Sequence, residues 1–344
     1  MIVNGNRNVY RNINKKRIII VLCTIVIFLL AFITDLSTGS SDMTVGDLVR
    51  SLFGGAKDKG VYSFVVWNIR LPMSLTCVFV GASLGIAGLQ LQTITNNALA
   101  SPYTFGITAS ASFGAAVSIT SGFIIAGQLW LGTSLLAFFF ALLVSLCIYL
   151  IGKVRGISTT TLVLTGIIMN FFFSALQQLL QYRASAEIAQ IISSWTFGNL
   201  ARSTWTSVVV SALSTICCFL ILMRWSWRLT ALTAGEEKAA SLGINIENLR
   251  FKVFIISSFL ISGAVSFIGT VAFVGLVAPH CARLLLGDDQ RYLLPLSMLF
   301  GGMLMLFSSI ISKLLTVGSM LPIGIITSIV GVPFLFILLI RKRG

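Results

Sequence analysis

The side chains that most often ligate metals or catalyse reactions are few and scattered in this sequence. It has one histidine, His280, with ten acidic residues and six cysteines among 344 residues. No cysteine pair has the spacing of a metal site, and no Ser/His/Asp or Cys/His grouping is present. A GxxxxGK[ST] phosphate-binding loop is also missing. The sequence therefore predicts no catalytic centre, no metal site and no cofactor bound by this chain. We expect His280 to pack between helices or to form a hydrogen bond.

A more distinctive pattern occurs in residues 229–248, a polar segment that connects two apolar ones. It contains the stretch Gly235-Glu-Glu-Lys-Ala-Ala-Ser-Leu-Gly243. We predict a short helix here, because two acids occupy its first turn, where the helix dipole favours negative charge, and Gly243 can end it. Its small side chains suit a socket on another protein. The alternative is an amphipathic helix on the membrane surface, although an apolar face of alanines and one leucine would bind lipid poorly. The predicted contact residues are Gly235, Glu236, Glu237, Ala239, Ala240, Leu242 and Gly243.

The composition is that of a membrane protein. Hydrophobic residues make up 56% of the chain and charged residues only 10%, whereas about a quarter is usual in soluble domains. The formal net charge of +14 comes from Lys and Arg at the ends of apolar segments, for example at 15–17 and 341–343. This is the positive-inside pattern of a polytopic membrane protein, so we predict no nucleic-acid partner.

Ten segments are candidates for membrane-spanning helices, each of which needs about 20 apolar residues. Nine are long, and the tenth, 277–287, is a shorter and more polar piece. Ten crossings leave both basic termini in the cytoplasm, whereas nine would leave the C-terminal tail outside. The connections 36–70 and 182–204 then lie outside and 229–248 lies inside. The long candidates are 18–35, 71–92, 103–120, 126–151, 158–181, 205–223, 252–275, 292–315 and 323–340.

This topology predicts one polytopic domain in the cytoplasmic (inner) membrane, 18–340. It follows a basic cytoplasmic N-terminus, 1–17, and precedes a basic cytoplasmic tail, 341–344. Because no small-x-small cleavage site follows the first apolar run, we expect an uncleaved first helix rather than a signal peptide.

Glycines recur within the spans, where small residues allow helices to pack closely. Two glycine-rich segments, 81–88 and 261–269, each lead into a proline-containing connection and a further helix. By the predicted topology they cross the membrane in opposite directions. We interpret them as parts of an inverted repeat, a common plan in transporters, with chance similarity of glycine-rich helices as the alternative.

The spans contain almost no acidic residues, and Asp35 lies at the end of the first one. Ion-coupled carriers usually bind protons or sodium at acids within their spans. We therefore predict a transporter whose energy comes from another polypeptide. An ion-driven secondary carrier and a non-transporting membrane scaffold are the alternatives.

Four amide side chains of the span 158–181 are candidates for a translocation path. Gln177, Gln178 and Gln181 end the span on the predicted outer side, where they could line the path or simply lie at the membrane interface. Asn170 lies deeper, where a polar residue more often binds a neighbouring helix than a ligand.

Seven motifs in the last four-fifths of the chain resemble one family of permeases. They are Ile69-Arg-Leu-Pro72, the Gly81 to Gly88 run, Asn97-Ala-Leu-Ala-Ser-Pro102, the Gly235 to Gly243 stretch, Phe273-Val-Gly-Leu-Val-Ala-Pro-His280 with Arg283, Gly287-Asp-Asp-Gln-Arg-Tyr-Leu-Leu-Pro295, and Leu321-Pro-Ile-Gly-Ile-Ile-Thr-Ser-Ile-Val-Gly-Val-Pro333. In this order they resemble FecCD-type (BtuC-like) permeases, which belong to type II ABC importers for iron–siderophores, haem and cobalamin.

The resemblance implies an all-α membrane protein of about ten helices that works as a homo- or heterodimer. It implies two cytoplasmic ATPases that hold ATP and Mg²⁺, and an extracytoplasmic binding protein that delivers the solute. The 229–248 connection would be the element that contacts the ATPase. Arg70 and Lys313 match basic positions that meet acids of the binding protein; the alternative for each is a cation that snorkels to the membrane interface.

The chain departs from the family pattern at several positions. The family often has Arg at Met73 and Lys313, Ala-Asp at Ser308-Ser309, Glu at Met320 and His at Gln290. Fewer outer cations make the docking pattern less complete, and a second, different permease could supply the missing charges. The function predicted from the sequence is inward transport of an iron(III)-siderophore or similar iron chelate, with haem or cobalamin as alternative solutes.

Overall fold

The computed structural model describes residues 2–39, 43–55, 60–155, 158–316 and 320–341, without the side chains of 2–14, 16, 338, 339 and 341. Across these ranges the chain is almost wholly helical, and its β-structure is limited to one isolated bridge between Ile125 and Gln128. The predicted all-α fold is thus confirmed. The basic tail residues 342–344 lie outside the described residues.

The N-terminal part contains more helix than predicted. A long first helix, α1 (Ile2–Ser37), is followed by α2 (Val45–Gly54), α3 (Val61–Val65) and α4 (Leu71–Thr95). The connection 36–70 is mostly helical over its described part, and its location outside the cell membrane stays a prediction. A π-helical turn, Val66–Arg70, joins α3 to α4. It fits the local sequence because Pro72 has no N–H to donate to the preceding turn and its ring crowds that turn.

The middle of the chain adds five helices. Residues 182–204, predicted as a connection, contain a helix of their own, which begins at Ala186 because Ser185 caps it by accepting a hydrogen bond from the Ile188 N–H. The five helices are α5 (Ile107–Ser121), α6 (Leu129–Arg155), α7 (Thr159–Arg183), α8 (Ala186–Thr196) and α9 (Trp205–Arg224).

The C-terminal part has two short helices and four longer ones. The predicted span 252–275 was wrong at both ends. The helix there ends at Ile268, whose carbonyl accepts a hydrogen bond from the Asn199 N–H at 2.7 Å, and the next helix begins at Val274. The six helices are α10 (Ser226–Thr233), α11 (Glu236–Ser241), α12 (Ile246–Ile268), α13 (Val274–Leu286), α14 (Gln290–Leu315) and α15 (Ile323–Arg341).

Seven helical segments of the described chain are long and apolar enough to cross a membrane: α1, α4 with its preceding turns, α6, α7, α9, α12 and α14. Three shorter apolar helices, α5, α13 and α15, bring the total to the ten that the sequence predicts. The inverted repeat and the placement of both termini in the cytoplasm stay predictions.

Helix α4 is the centre of the bundle, and it packs against α9, α12, α13 and α14. Nearly all its residues are buried, whereas only 17% of the apolar stretch of α1 and 22% of that of α7 are buried. Glycine makes this packing possible. A Cβ atom at Gly88 would lie 1.7 Å from the carbonyl oxygen of Gly275, and one at Gly81 would lie 2.3 Å from that of Gly301. The predicted close packing of the glycine-rich segment is confirmed.

Candidate coupling site and its polar anchors

Helices α10 and α11 form the candidate coupling element at one end of the bundle. The predicted short helix is confirmed as α11, from Glu236 to Ser241. Gly235 precedes it with φ +120°, a backbone conformation that residues with a Cβ rarely adopt, so this position favours glycine. The α11 helix is followed by Gly243, also in a left-handed conformation, whose N–H donates to the Ala240 carbonyl at 2.9 Å.

The two alanines of α11 face in different directions. Ala239 is fully buried against the rest of the protein, whereas Ala240 is exposed. The expectation that both form one contact face was therefore wrong. An α-helix turns by about 100° per residue, so neighbouring residues cannot share a narrow face. Of the predicted contact residues, the exposed ones are Glu236, Glu237, Ala240, Leu242 and Gly243, and Lys238 and Ser241 are exposed beside them.

A cleft of about 530 Å³ opens beside this surface. Leu242 and Gly243 form part of its wall, and Trp227 and Arg228 of α10 and Lys252 of α12 form other parts. Leu242 is 68% exposed on this wall of the cleft. The tip of the element therefore presents an apolar side chain beside a wide cleft.

Arg250 of α12 anchors α11 to the bundle. This arginine is buried, and its Nη2 atom lies 2.6 Å from Oε1 of Glu236. Its Nε atom donates to the Ile94 carbonyl at 3.0 Å, in the last turn of α4. The carbonyls of a last helical turn have no donor within the helix, and a cation there also complements the helix dipole. One side chain thus connects α11, α12 and α4.

Gln290, the first residue of α14, anchors α10 in a similar way. It is fully buried, and its backbone N–H donates to Oγ1 of Thr230 on α10 at 3.0 Å. Its side-chain Nε2 donates to Oγ1 of Thr93 at 2.9 Å, and its Oε1 accepts a hydrogen bond from Nε2 of Gln90 at 3.3 Å. Gln290 therefore joins α10 to the same end of α4 that Arg250 contacts.

At the opposite end of α4, a second polar cluster surrounds Asp35. Nζ of Lys313 lies 2.7 Å from Oδ1 of Asp35, and the hydroxyl of Ser74 donates to Oδ2 at 2.5 Å. Nη1 of Arg70 donates to the carbonyls of Leu36 and Ser37 at 2.8 and 3.0 Å. Asp35, Arg70 and Lys313 are all buried or nearly so, which places α1, α4 and α14 in firm contact.

Comparison with known proteins places this arrangement in a family. A profile of the FecCD transport family matches residues 25–341. The chain belongs to the FecCD transport family. A protein of Methanocaldococcus jannaschii described as an ABC transporter permease is 37% identical over 339 residues, covering 96% of this chain and 97% of the relative. The Fe(3+)-citrate import system permease YfmD of Bacillus subtilis is 30% identical, covering 96% of each chain.

A solved structure shows the same fold. It is described as a metal-chelate type ABC transporter in an inward-facing conformation, and it aligns with a TM-score of 0.82 and 29% identity. The alignment covers 94% of this FecCD protein and 99% of that chain. The resemblance inferred from the motifs is thereby confirmed, and the protein is a multi-pass membrane permease.

The two basic residues predicted to dock a binding protein lie inside this FecCD permease rather than on its surface. Arg70 is 4% exposed and caps the end of α1, and Lys313 is paired with Asp35. They are not snorkelling cations either, because their charged groups bind protein oxygen atoms. Their docking role stays a prediction, and it requires these internal contacts to open.

The amide residues of α7 divide into two groups. Gln177 donates to Oγ1 of Thr196 at 3.2 Å and Gln181 donates to Oγ of Ser193 at 2.7 Å, so both hold α8 against α7. Gln178 is exposed and Asn170 is half-buried. A contribution of the four to a translocation path stays a prediction, and the structure leaves Gln178 as the most accessible of them.

Sequence reasoning missed Arg250 and Gln290 as anchors of the coupling element in this FecCD protein. Arg250 lies where basic residues usually mark the cytoplasmic end of a span, which gave its charge an adequate explanation. The only feature of Gln290 that stands out in the sequence is that the family often has histidine at this position, and this does not indicate an anchor. His280, which no metal-ligand set accompanies within the described residues, packs edge-on against Phe334 with ring centroids 6.1 Å apart.

Proposed function

We propose that this FecCD protein is the membrane permease of an ABC importer that moves an iron(III) chelate into the cell. Two cytoplasmic ATPases would bind ATP and Mg²⁺ and drive the cycle, and an extracytoplasmic binding protein would deliver the solute to a pair of permease subunits. The observation that carries the proposal is the α10–α11 element: an exposed surface of charged, small and apolar residues that is held on the central helix by Arg250 and Gln290.

The contact with the ATPase is proposed at the exposed part of this element. Ala240 and Leu242 offer a small and an apolar side chain, and Glu236 and Glu237 add negative charge at the start of α11. Small and apolar side chains permit close docking, while rim charges orient the partner. The positive-inside pattern puts this end of the bundle in the cytoplasm, where an ATPase can reach it.

The contacts of the buried acid Asp35 also favour an energy source outside this chain, such as a partner ATPase. Asp35 is fully buried, yet both its carboxylate oxygens are occupied, by Lys313 and Ser74. A carboxylate that carries a proton or sodium ion through a transport cycle must exchange partners with the solvent. The described spans therefore offer little support for the rival proposal of an ion-driven secondary carrier.

The proposed solute class rests on relatives. One is the iron-citrate permease of B. subtilis, and another is the hemin transport system permease HmuU of Yersinia pestis, which is 31% identical and covers 92% of this chain and 95% of its own. Haem and cobalamin are the alternative solutes for the same machine. A molybdate import system permease, MolB of Haemophilus influenzae, is 35% identical over 81% of the chain, so molybdate belongs in any solute panel.

Reconstitution tests the proposal directly. The full chain would be co-expressed with its cognate ATPase and binding protein, placed in liposomes, and offered radiolabelled ferric citrate, haemin, cobalamin or molybdate. We expect uptake of ferric citrate that requires ATP inside and binding protein outside. Uptake of haemin, cobalamin or molybdate instead of ferric citrate under the same conditions would show that the transported solute differs from the one proposed. Uptake that persists without ATP and stops when the ion gradient collapses would replace the proposal with a secondary carrier.

A further inference from the structure

The coupling element contacts the membrane-spanning bundle through two polar connections that meet on α4. Within the last six residues of that helix, Ile94 binds Arg250 and Thr93 and Gln90 bind Gln290. Arg250 continues to Glu236 on α11, and Gln290 continues to Thr230 on α10. Both short helices are therefore fixed to the same place on one membrane helix.

The bonds in these connections oppose a sliding movement of α10 or α11 relative to α4. The Arg250–Glu236 contact is a charge-assisted hydrogen bond of 2.6 Å, and the arginine end of it is buried. Such bonds are short, directional and stronger than neutral ones, and breaking one leaves a buried group without a partner. A displacement of α11 therefore moves Arg250 and Ile94 with it more readily than it separates them.

Helix α4 then carries the displacement across the protein. Its 25 residues correspond to a length of about 37 Å, which is enough to cross the hydrocarbon core. At its far end Ser74 binds Asp35, which pairs with Lys313 of α14. The two polar clusters at the ends of α4 are thus joined by one rigid, almost fully buried helix.

We propose that Arg250 and Gln290 are positioning residues that pass a movement of the α10–α11 element to α4. The inference rests on the proposed function, since it presumes that an ATPase moves that element. Neither residue is available to touch a partner: Arg250 is 5% exposed and Gln290 is fully buried. Their effect is exerted through Glu236 and Thr230, which are on the element, and through the last turns of α4.

The chain offers a matched control. Asp288 pairs with Arg283 at 2.8 Å, and Arg283 also donates to Gln92 of α4 at 3.1 Å. Asp288 and Glu236 have similar side-chain exposure, 62% and 59%. The control pair joins α4 to α13 and the start of α14 but includes no residue of α10 or α11. Asp288→Asn therefore removes a charge from an ion pair that reaches α4 without including the α10–α11 element, and its arginine is more exposed than Arg250, at 23% against 7%.

The test measures whether nucleotide binding to the ATPase changes hydrogen–deuterium exchange at the end of α4. The full permease would be assembled with its cognate ATPase in lipid nanodiscs, and hydrogen–deuterium exchange would be followed in the connection 96–106, directly after α4. The probe is Mg-ATP with vanadate. The variants are Arg250→Met, which keeps the volume of the side chain, and Thr230→Val, which removes the hydroxyl that accepts the Gln290 N–H at a half-buried position outside the proposed ATPase contact. ATPase association and thermal stability would be measured on the same samples.

We expect nucleotide to change exchange in 96–106 in the wild type and in Asp288→Asn, and the change to shrink about fivefold or more in both test variants, at unchanged ATPase association. A purely structural role would lower thermal stability and leave the nucleotide response intact, which overturns the inference. So would a wild-type complex whose 96–106 segment does not respond to nucleotide. If Arg250→Met fails to assemble, Thr230→Val decides alone. Failure of the wild-type chain to bind any ATPase would instead refute the proposed function.

Discussion

Lys313 and Asp35 form an ion pair in the interior of a membrane protein, with 2.7 Å between Nζ and Oδ1 and side-chain exposures of 5% and 0%. The pair joins the end of α1 to α14, and Ser74 of α4 completes the coordination of the carboxylate. Both charges are removed from water, so each depends on the other. The ion pair therefore holds together helices from the N-terminal and C-terminal parts of the sequence.

Removing one member of this pair is predicted to destabilise the permease strongly. Lys313→Met or Asp35→Asn should each cost about 3–5 kcal/mol, because a buried charge is left without its partner. The double variant should recover much of that loss, since it leaves no unpaired charge. Thermal unfolding of the purified protein in detergent measures all three. The exposed pair provides the control: Asp288→Asn should change stability by less than about 1 kcal/mol.

Two glycines in membrane helices should respond in opposite ways to alanine. At Gly88 a Cβ atom would overlap the Gly275 carbonyl, so Gly88→Ala must push α4 away from α13 and destabilise the bundle. At Gly263 the nearest atom to a new Cβ is Oγ of Ser214 at 3.5 Å, so alanine fits and gains up to about 1 kcal/mol of helix propensity. Thermal stability and yield of the two variants give the comparison. Equal loss in both would show that the packing argument is wrong.

Charge placed on the exposed tip of α11 is predicted to weaken ATPase binding. Ala240→Glu introduces a longer, negative side chain at the proposed contact, and a clash with an unpaired charge typically costs enough to reduce affinity about tenfold or more. Co-purification with the ATPase measures the effect. Ala186→Glu, at an exposed alanine of α8, is the control. Unchanged co-purification of Ala240→Glu would remove α11 from the interface.

The pH dependence of stability should reflect Asp289, which caps α14 and lies outside the spanning part of that helix. A hydrogen bond from the side chain of Arg291 is the largest cause of the lowered pKa of Asp289; burial opposes it, and the backbone N–H of Arg291 and the charges of Arg291 and Arg17 lower the pKa further. Because its folded-state pKa lies below the unfolded value, the carboxylate stabilises the protein at neutral pH. That contribution disappears as the pH falls through the folded-state pKa.

Asp289→Asn keeps the oxygen that accepts the Arg291 N–H and removes the charge. We expect the variant to melt at a lower temperature than the wild type at neutral pH, with a difference that narrows as the pH is lowered below about 4. Melting curves across this range provide the measurement. A difference that stays constant with pH would assign the effect to packing rather than to charge.

Much of this fold can be predicted from the sequence because a backbone in lipid must form its hydrogen bonds within the protein. Ten apolar segments predict ten helices, since only helices satisfy the backbone hydrogen bonds of such segments in a membrane. The α11 helix follows from local chemistry, with acids at its start and a glycine after its end. The close packing of Gly81 and Gly88 follows from residue size, and the motif order was sufficient to indicate the family.

The roles of the charged residues were decided by tertiary structure. Arg70, Arg250 and Lys313 look alike in the sequence, as cations near the ends of spans: the positive-inside rule accounts for Arg250, and snorkelling to the membrane interface accounts for Arg70 and Lys313. Their partners are the carbonyls of Leu36 and Ile94 and the carboxylate of Asp35, which lie 34, 156 and 278 residues away. A cation's energy in a membrane protein depends on which oxygen atoms the fold brings to it. Composition and spacing along one helix do not contain that information.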